Sequence, residues 1–150
     1  SDVSEGILDI WIPNDNNKSC YVFNNYFQTQ GSLAQKAIRV TGSGSHRLFL
    51  VNNSIESTAN SAVSSYGIYI EADVPLTVKN NIISGKNGGV PLYVGVPLTN
   101  IDWDYNCYYT TGNNLANFNG TNYSTVSTLG AAMGSDANSL NLNPFYKVER

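Results

Sequence analysis

Several residue types are scarce in this 150-residue sequence, and each scarcity argues against some classes of function. Only 13% of the residues are charged, and the formal net charge is −3 with a pI near 4.9, so we expect neither nucleic acid nor an anionic membrane as partner. No run of about 18 apolar residues is present, so no transmembrane helix is predicted. His46 is the single histidine, which gives Ser-His-Asp catalysis little support, and we expect it to occupy a turn.

Methionine is equally rare, since the first one in the chain is Met133. No signal peptide is visible at the N-terminus. We therefore expect that further residues precede Ser1 in a longer protein. What the sequence has in abundance is asparagine, with 21 residues, and tyrosine, with 10. Together with Val, Ile and Thr, this composition is typical of many short strands joined by tight turns.

An internal repeat organises most of the chain. Four segments align without gaps, at 20–27, 48–55, 76–83 and 101–108. The second asparagine of the repeat, or its equivalent, recurs as Asn25, Asn53, Asn81 and Asn106. Residues before and after it alternate with period 2, as strands require, and one alternating set is apolar in all four segments. The repeat therefore predicts stacked strands with an inner and an outer face, and a ladder of asparagine side chains at a tight turn.

A further strand precedes each repeat, at 7–11, 37–40, 67–70 and 90–94. Each unit then holds three short strands, and helices are almost absent, so parallel pairing must come from coiling and not from helical crossovers. The predicted fold is an all-β, right-handed parallel β-helix of about four coils, with three short strands per coil. Cys20 and Cys107 would lie three coils apart, beyond the span of about 7 Å that a disulfide bridges, so we expect free thiols.

The strand–turn–strand–Asn–strand plan resembles the pectate-lyase superfamily of right-handed parallel β-helices. The C-terminal part is similar to the end of bacterial right-handed β-helix repeat proteins, where a short helix leads into a Gly-x-Asp-x-x-Ser segment and a Pro-Phe ending. The matching residues are 124–133, Gly134 to Ser139, and Pro144-Phe145. The resemblance implies a secreted or cell-surface protein that binds or acts on polysaccharide.

The chain is predicted to form one domain with two parts. Residues 1–111 form the coils, and 112–150 form a loop, a short capping helix and a tail. Ser124 is predicted to N-cap the helix and Gly134 to end it, so that the helix covers the last coil. The N-terminal side has no comparable cap, and we expect either upstream coils of the same parent protein or self-association of this open end.

Candidate binding residues follow from the outer face of the first strands. Aligning Ile10 with Ile38, Ile68 and Leu92 places four outward side chains in one column, which are Trp11, Arg39, Tyr69 and Tyr93. Aromatic rings stack on sugar rings, and arginine binds carboxylates, so this column predicts polysaccharide binding. The alternative is that a loop covers these side chains and they only pack.

Two acidic pairs are further candidates. Glu71 and Asp73 follow Tyr69 on the same side of its strand, at a separation of roughly 6–7 Å that suits inverting glycosidases, or they are surface acids. Asp102 and Asp104 would lie outward on the second strand, with Lys79 beside Asp104. The pair of carboxylates predicts part of the ligand set of a Ca²⁺ site. No other metal and no cofactor is expected.

The sequence leaves three functions open. The first is a non-catalytic carbohydrate-binding or structural piece of a secreted β-helix protein. The second is the C-terminal part of a polysaccharide lyase or glycoside hydrolase. The third is an adhesin or stalk spacer. Motifs typical of polygalacturonases, and the Ca²⁺-carboxylate cluster with a basic residue that pectate lyases carry, are absent from the sequence.

Overall fold

A computed structural model describes residues 6–14, 18–30, 34–59 and 65–144. It contains fifteen strands and one helix in these ranges. The strands are β1 (Gly6–Ile12), β2 (Ser19–Phe23), β3 (Tyr26–Gln30), β4 (Lys36–Gly42), β5 (Arg47–Val51), β6 (Ser54–Thr58), β7 (Tyr66–Ile70), β8 (Leu76–Lys79), β9 (Ile82–Lys86), β10 (Val90–Val94), β11 (Ile101–Asp104), β12 (Cys107–Thr110), β13 (Ala116–Phe118), β14 (Thr121–Tyr123) and β15 (Leu140–Asn141). The helix is α1 (Val126–Met133).

These strands form three sheets that run along the axis of a parallel β-helix. Sheet 1 has the order β1-β4-β7-β10-β13-β14, sheet 2 is β2-β5-β8-β11, and sheet 3 is β3-β6-β9-β12-β15. Every third strand pairs in parallel with its equivalent in the next coil, and only β13–β14 is antiparallel. The predicted parallel β-helix of four coils with three strands each is therefore confirmed.

The core consists of apolar columns that run from coil to coil between the sheets. Leu8, Ile38, Ile68 and Leu92 form one column of sheet 1. Sheet 2 supplies a column that ends on the fully buried Trp103, and sheet 3 one that ends on Tyr108. The Trp103 indole N–H donates to the Tyr108 hydroxyl at 2.6 Å, which satisfies the polar atoms of both large side chains.

His46 lies between β4 and β5, where a turn was predicted, and it is buried. Only 6% of the residue is exposed, immediately before β5. It is two residues from Leu48, and alternating residues of an extended chain share one face, so His46 points the same way as the sheet 2 core. The two cysteines are free thiols as predicted, and Cys20 is only half-buried because it lies in the first coil.

The C-terminal end carries the predicted capping helix, with corrections around it. Thr125, and not Ser124, is the N-cap residue, because its hydroxyl accepts the Thr128 N–H at 3.2 Å. Gly134 ends the helix in the left-handed conformation at φ 65°. The helix buries one face against the core, through Val126, Leu129, Gly130 and Met133.

The predicted loop before the helix is instead a β-hairpin. Strand β13 continues sheet 1 beside β10, and β14 folds back against it across Asn119 and Gly120, both of which have positive φ. Leu115 and Ala116 are fully buried there. Two strands of three residues each are too short to show a periodicity, which is why the sequence reads as a loop.

A tyrosine cluster on the outer face of sheet 1

The observed register changes the predicted aromatic column. Strand β1 pairs with β4 so that Asp9, and not Trp11, lies opposite Arg39, while Trp11 lies opposite Thr41. The true outward column is therefore Asp9, Arg39, Tyr69 and Tyr93. A shift by two residues keeps every inward side chain inward, so the alternation pattern alone does not detect it. Trp11 remains 66% exposed beside this column.

Three tyrosines and a lysine make contact on this face, and we call them the tyrosine cluster: Lys36, Tyr66, Tyr69 and Tyr93. The rings of Tyr69 and Tyr93 stack with centroids 4.3 Å apart and planes 8° apart. Tyr66 approaches them edge-on, at 5.0 Å from Tyr69 and 5.3 Å from Tyr93. The ammonium group of Lys36 lies 4.2 Å from the Tyr69 ring centroid. All four residues are partly buried, and each keeps part of its surface exposed to solvent.

Sequence reasoning missed Tyr66 and Lys36 because the strand breaks its alternation there. Gly67 and Ile68 are consecutive, yet both face the core: a Cβ on Gly67 would lie 3.2 Å from the Ile83 side chain. Tyr66 therefore points outward three residues before Tyr69, where strict alternation predicts an inward side chain. A glycine inside an otherwise regular strand is the signal that marks such an irregularity.

The hydroxyl of Tyr69 stays protonated at any physiological pH. Desolvation by burial, followed by the negative charge of Glu71, raises its pKa to about 12, and a hydrogen bond with Tyr93 acts in the same direction. The cluster therefore presents the neutral Tyr69 phenol beside the ammonium group of Lys36. It offers aromatic carbon together with hydrogen-bonding groups, which is the combination that amphipathic ligands require.

Both predicted catalytic carboxylates lie outside the strand, and Glu71 lies next to the cluster. Strand β7 ends at Ile70, so Glu71 and Asp73 are not on one strand face as predicted. Glu71 forms an ion pair with Arg39, with 2.7 Å between Nε and Oε2, and this hydrogen bond raises the pKa of Arg39. Asp73 accepts hydrogen bonds from the backbone N–H and hydroxyl of Thr99, at 2.9 and 2.8 Å. Each carboxylate thus has its own partner.

The predicted metal pair, Asp102 and Asp104, is also engaged by protein groups. Asp102 forms an ion pair with Lys79 at 2.6 Å, although Lys79 was predicted to pair with Asp104, its neighbour in register. Asp104 instead accepts from the Asn138 backbone and amide, both at 2.7 Å. Burial by itself would raise the pKa of the Asp104 carboxyl group. The hydrogen bonds have the larger combined effect, so the pKa lies below its ordinary value. Among the described residues, no three His, Cys, Asp or Glu side chains form a cluster suited to a metal.

The asparagine side chains lie in one column along the turn between sheets 2 and 3. Asn53, Asn81 and Asn106 each accept, through Oδ1, the backbone N–H of the asparagine in the preceding coil at 2.9–3.0 Å, and the side-chain amides donate across coils. The left-handed backbone positions are the preceding residues Asn24, Asn52, Asn80 and Tyr105, with φ of 56–58°. The left-handed turn conformation is thus adopted by the residue before each ladder asparagine, and the side chains of Asn53, Asn81 and Asn106 are buried.

The Gly-x-Asp-x-x-Ser segment closes this ladder. The Ser139 hydroxyl accepts the Asn106 N–H at 2.7 Å, in the place that a fifth asparagine would take, and donates to Asp136. The Asp136 N–H and the Ser135 hydroxyl both donate to the Trp103 carbonyl, at 2.8 and 2.6 Å. The segment thus satisfies the polar groups of the last coil.

Asp136 is expected to make the folded protein less stable as the pH rises. Desolvation by burial is the main cause that raises its pKa above 3.8. A raised folded-state pKa means that the folded protein binds more protons, so this group lowers stability as pH rises from its unfolded pKa through its folded pKa. We expect Asp136→Asn to remove that loss. Urea unfolding of both proteins between about pH 3 and pH 7 measures it, and an unchanged pH dependence would contradict the assignment.

Glu56, on the outer face of sheet 3, is another charged residue that sequence reasoning missed. Glu56 is only 3% exposed, pairs with Lys86 at 2.6 Å, and accepts from the Gln28 amide at 2.9 Å. Its oxygens are satisfied within the protein, so it stabilises the stack and leaves no group free for a ligand.

Comparison with known proteins gives no assignment, since no family model, curated protein or solved structure matches the chain. None of the described residues forms a helix with the length and apolar character needed to cross a membrane.

Proposed function

We propose that this chain is a non-catalytic carbohydrate-binding module that holds polysaccharide on the outer face of sheet 1. It would act outside the cell or at its surface, within a β-helix protein of the pectate-lyase superfamily. The observation that carries the proposal is the tyrosine cluster, where three rings in mutual contact lie beside Lys36 and the Arg39–Glu71 ion pair.

The chemistry of the cluster suits sugars because a pyranose has both apolar C–H faces and hydroxyl groups. The partly exposed rings of Tyr66 and Tyr93 offer aromatic surface, and the phenol and ammonium groups can donate hydrogen bonds to the ring and hydroxyl oxygens of a sugar. Sheet 1 presents these groups on consecutive strands, so a polymer lying across the strands contacts them in succession.

The pairing of the carboxylates supports binding and not catalysis. A general acid and a general base must be free to exchange protons with substrate, whereas Glu71 is held by Arg39 and Asp73 by Thr99. These contacts instead fix the edge of the cluster: Glu71 orients Arg39, and Asp73 ties the turn after β7 to the turn after β10. The superfamily assignment draws its support from the asparagine ladder.

Screening the chain on a polysaccharide and glycan array, followed by calorimetry on the best ligand, tests the proposal. We expect Tyr69→Ala to weaken binding roughly tenfold or more, about 1.4 kcal/mol, because it removes the ring that contacts the other three members. Tyr105→Ala is the matched control, since Tyr105 is an exposed tyrosine on a turn between sheets 2 and 3. Circular dichroism verifies that each variant is folded.

Three results would contradict the proposal. One is the absence of any glycan ligand, which favours a stalk or spacer. Another is loss of binding in Trp11→Ala but not in Tyr69→Ala, which places the site away from the cluster. The third is release of reducing ends or of unsaturated product from the bound polymer, abolished by Glu71→Gln or Asp73→Asn, which would make the chain part of an enzyme.

A further inference from the structure

The charged residues in the strands of sheet 1 lie in its first two strands. They are Asp9 in β1, and Lys36 and Arg39 in β4. Arg39 lies opposite Asp9 in register, and its Nε donates to Oε2 of Glu71 at 2.7 Å. Arg39 therefore has a carboxylate in the coil before it and another in the coil after it. The hydrogen bond to Glu71, followed by the negative charges of Glu71 and Asp9, raises the pKa of its guanidinium group.

Glu71 brings a negative charge to the edge of the tyrosine cluster. Its backbone N–H donates to the Val40 carbonyl at 2.9 Å, so it continues the pairing of β7 with β4 two residues beyond Tyr69. The Glu71 side chain is 34% exposed, so water screens its charge only in part. That charge already acts on the Tyr69 hydroxyl, whose pKa it raises in addition to desolvation. A carboxylate on a sugar bound at these rings would be repelled in the same way.

Each of the two cations near the rings is in contact with a protein group. The ammonium group of Lys36 lies 4.2 Å from the centroid of the Tyr69 ring, and Arg39 forms its ion pair with Glu71. A sugar carboxylate that binds Arg39 must share the guanidinium group with Glu71 or displace it. Exchanging one carboxylate for another gains little, because the strong arginine–carboxylate contact is already made within the protein.

The other four strands of sheet 1 carry no charge. Strands β7, β10, β13 and β14 contain no Asp, Glu, Lys or Arg. The outward column continues from Tyr93 to Asn117, which lies opposite Asn122 and donates from Nδ2 to its Oδ1 at 2.7 Å. With strands about 4.8 Å apart, these rings and amides extend over about 14 Å. Rings stack on sugars and amides bond to hydroxyl groups, and neither contact requires a charge on the ligand.

We propose that the tyrosine cluster selects uncharged polysaccharides and that Glu71 is the residue that excludes acidic ones. This inference rests on the proposed function, because it names the class of polysaccharide that the cluster holds. Glu71 acts in two ways: it occupies the guanidinium group of Arg39, and it repels an anionic group placed on the neighbouring rings. Selectivity then comes from a repulsive element against the wrong ligand as well as from contacts to the right one.

Calorimetry with three matched pairs of polymers tests the proposal. Glucan, mannan and galactan are each used unmodified and after oxidation of their primary hydroxyl groups to carboxylates, so the members of a pair differ in charge. We expect the wild type to bind at least one unmodified polymer, roughly tenfold or more tightly than its oxidised form. Binding of the unmodified polymer should change less than about twofold between low and high salt, because no ion pair with the ligand is formed.

Glu71→Gln removes the charge and keeps the size of the side chain. We expect it to strengthen binding of the oxidised polymer by about fivefold or more at low salt, and salt should abolish this gain. Binding of the unmodified polymer should stay within about threefold of the wild type. Asp102→Asn is the matched control, since it removes one carboxylate from an exposed ion pair with Lys79 on sheet 2 and changes the net charge equally. Circular dichroism verifies the fold of both variants.

The outcomes separate this inference from the proposed function. If the wild type binds an oxidised polymer as tightly as its unmodified form, and Tyr69→Ala abolishes that binding, the proposed function stands and the charge selectivity is wrong. Equal gains for Glu71→Gln and Asp102→Asn also overturn the role of Glu71, since net charge alone would explain them. If neither the wild type nor Glu71→Gln binds any of the six polymers, both proposals fail.

Discussion

Asn81→Ala is expected to destabilise the protein by about 3–5 kcal/mol, because its side chain lies in the buried part of the ladder. The Asn81 Oδ1 accepts from the Asn53 backbone at 2.9 Å and from the Asn53 amide at 3.1 Å. Its Nδ2 donates to the Leu50 carbonyl at 2.8 Å and to Asn106 Oδ1 at 3.0 Å. Alanine removes the side-chain partner of the buried Asn53 backbone N–H and of the buried Leu50 carbonyl, and each unsatisfied buried group costs about 1–3 kcal/mol.

Asn25→Ala is the matched control because Asn25 occupies the same position at the exposed end of the ladder. Its side chain donates to the Phe23 carbonyl at 2.9 Å and to Asn53 Oδ1 at 3.4 Å, both near solvent. We expect a loss below about 1 kcal/mol, since water replaces these bonds. Urea unfolding of the three proteins measures the difference. Equal costs for Asn25 and Asn81 would show that burial does not set the strength of the ladder.

The sequence predicted the parts of the fold that repeat. Columns such as Leu48–Leu76 and Val22–Leu50 recur with constant spacing, and the structure pairs these residues as the alignment does. In a parallel stack, residues one repeat apart in the sequence lie side by side on adjacent strands, so the 28-residue spacing predicts which residues are in contact. The register of sheets 2 and 3 was therefore readable in advance.

The sequence did not predict the register of sheet 1 in its first coil. The segment around Trp11 has apolar residues at Leu8, Ile10 and Ile12, and any of them fits opposite Ile38 without moving an apolar side chain outward. A period-2 pattern does not encode which of these registers forms. The capping contacts of Ser139 and Asn138 could not be predicted for another reason: both residues lie outside the repeat, more than 30 residues from their partners Asn106 and Asp104.

The candidate site depends on a departure from the repeat at Gly67, and this gives the second large prediction. We expect Gly67→Ala to destabilise the protein by about 2–3 kcal/mol, as overpacking of a tight core does. The added Cβ would lie 2.6 Å from the Pro91 carbonyl oxygen and 3.2 Å from the Ile83 side chain. The first is backbone in the neighbouring strand β10, so the clash can be relieved only by separating β7 from β10.

That separation would also alter the tyrosine cluster, because β7 carries Tyr69 and β10 carries Tyr93, whose rings stack at 4.3 Å. Gly67→Ala should therefore weaken glycan binding as well as stability, although it lies in the core. Gly112→Ala is the control, since its Cβ would meet nothing closer than 3.4 Å and should change stability by less than about 0.5 kcal/mol. Urea unfolding and calorimetry measure the two effects. If Gly67→Ala keeps wild-type stability and binding, the consecutive inward residues at 67 and 68 do not hold the cluster in place.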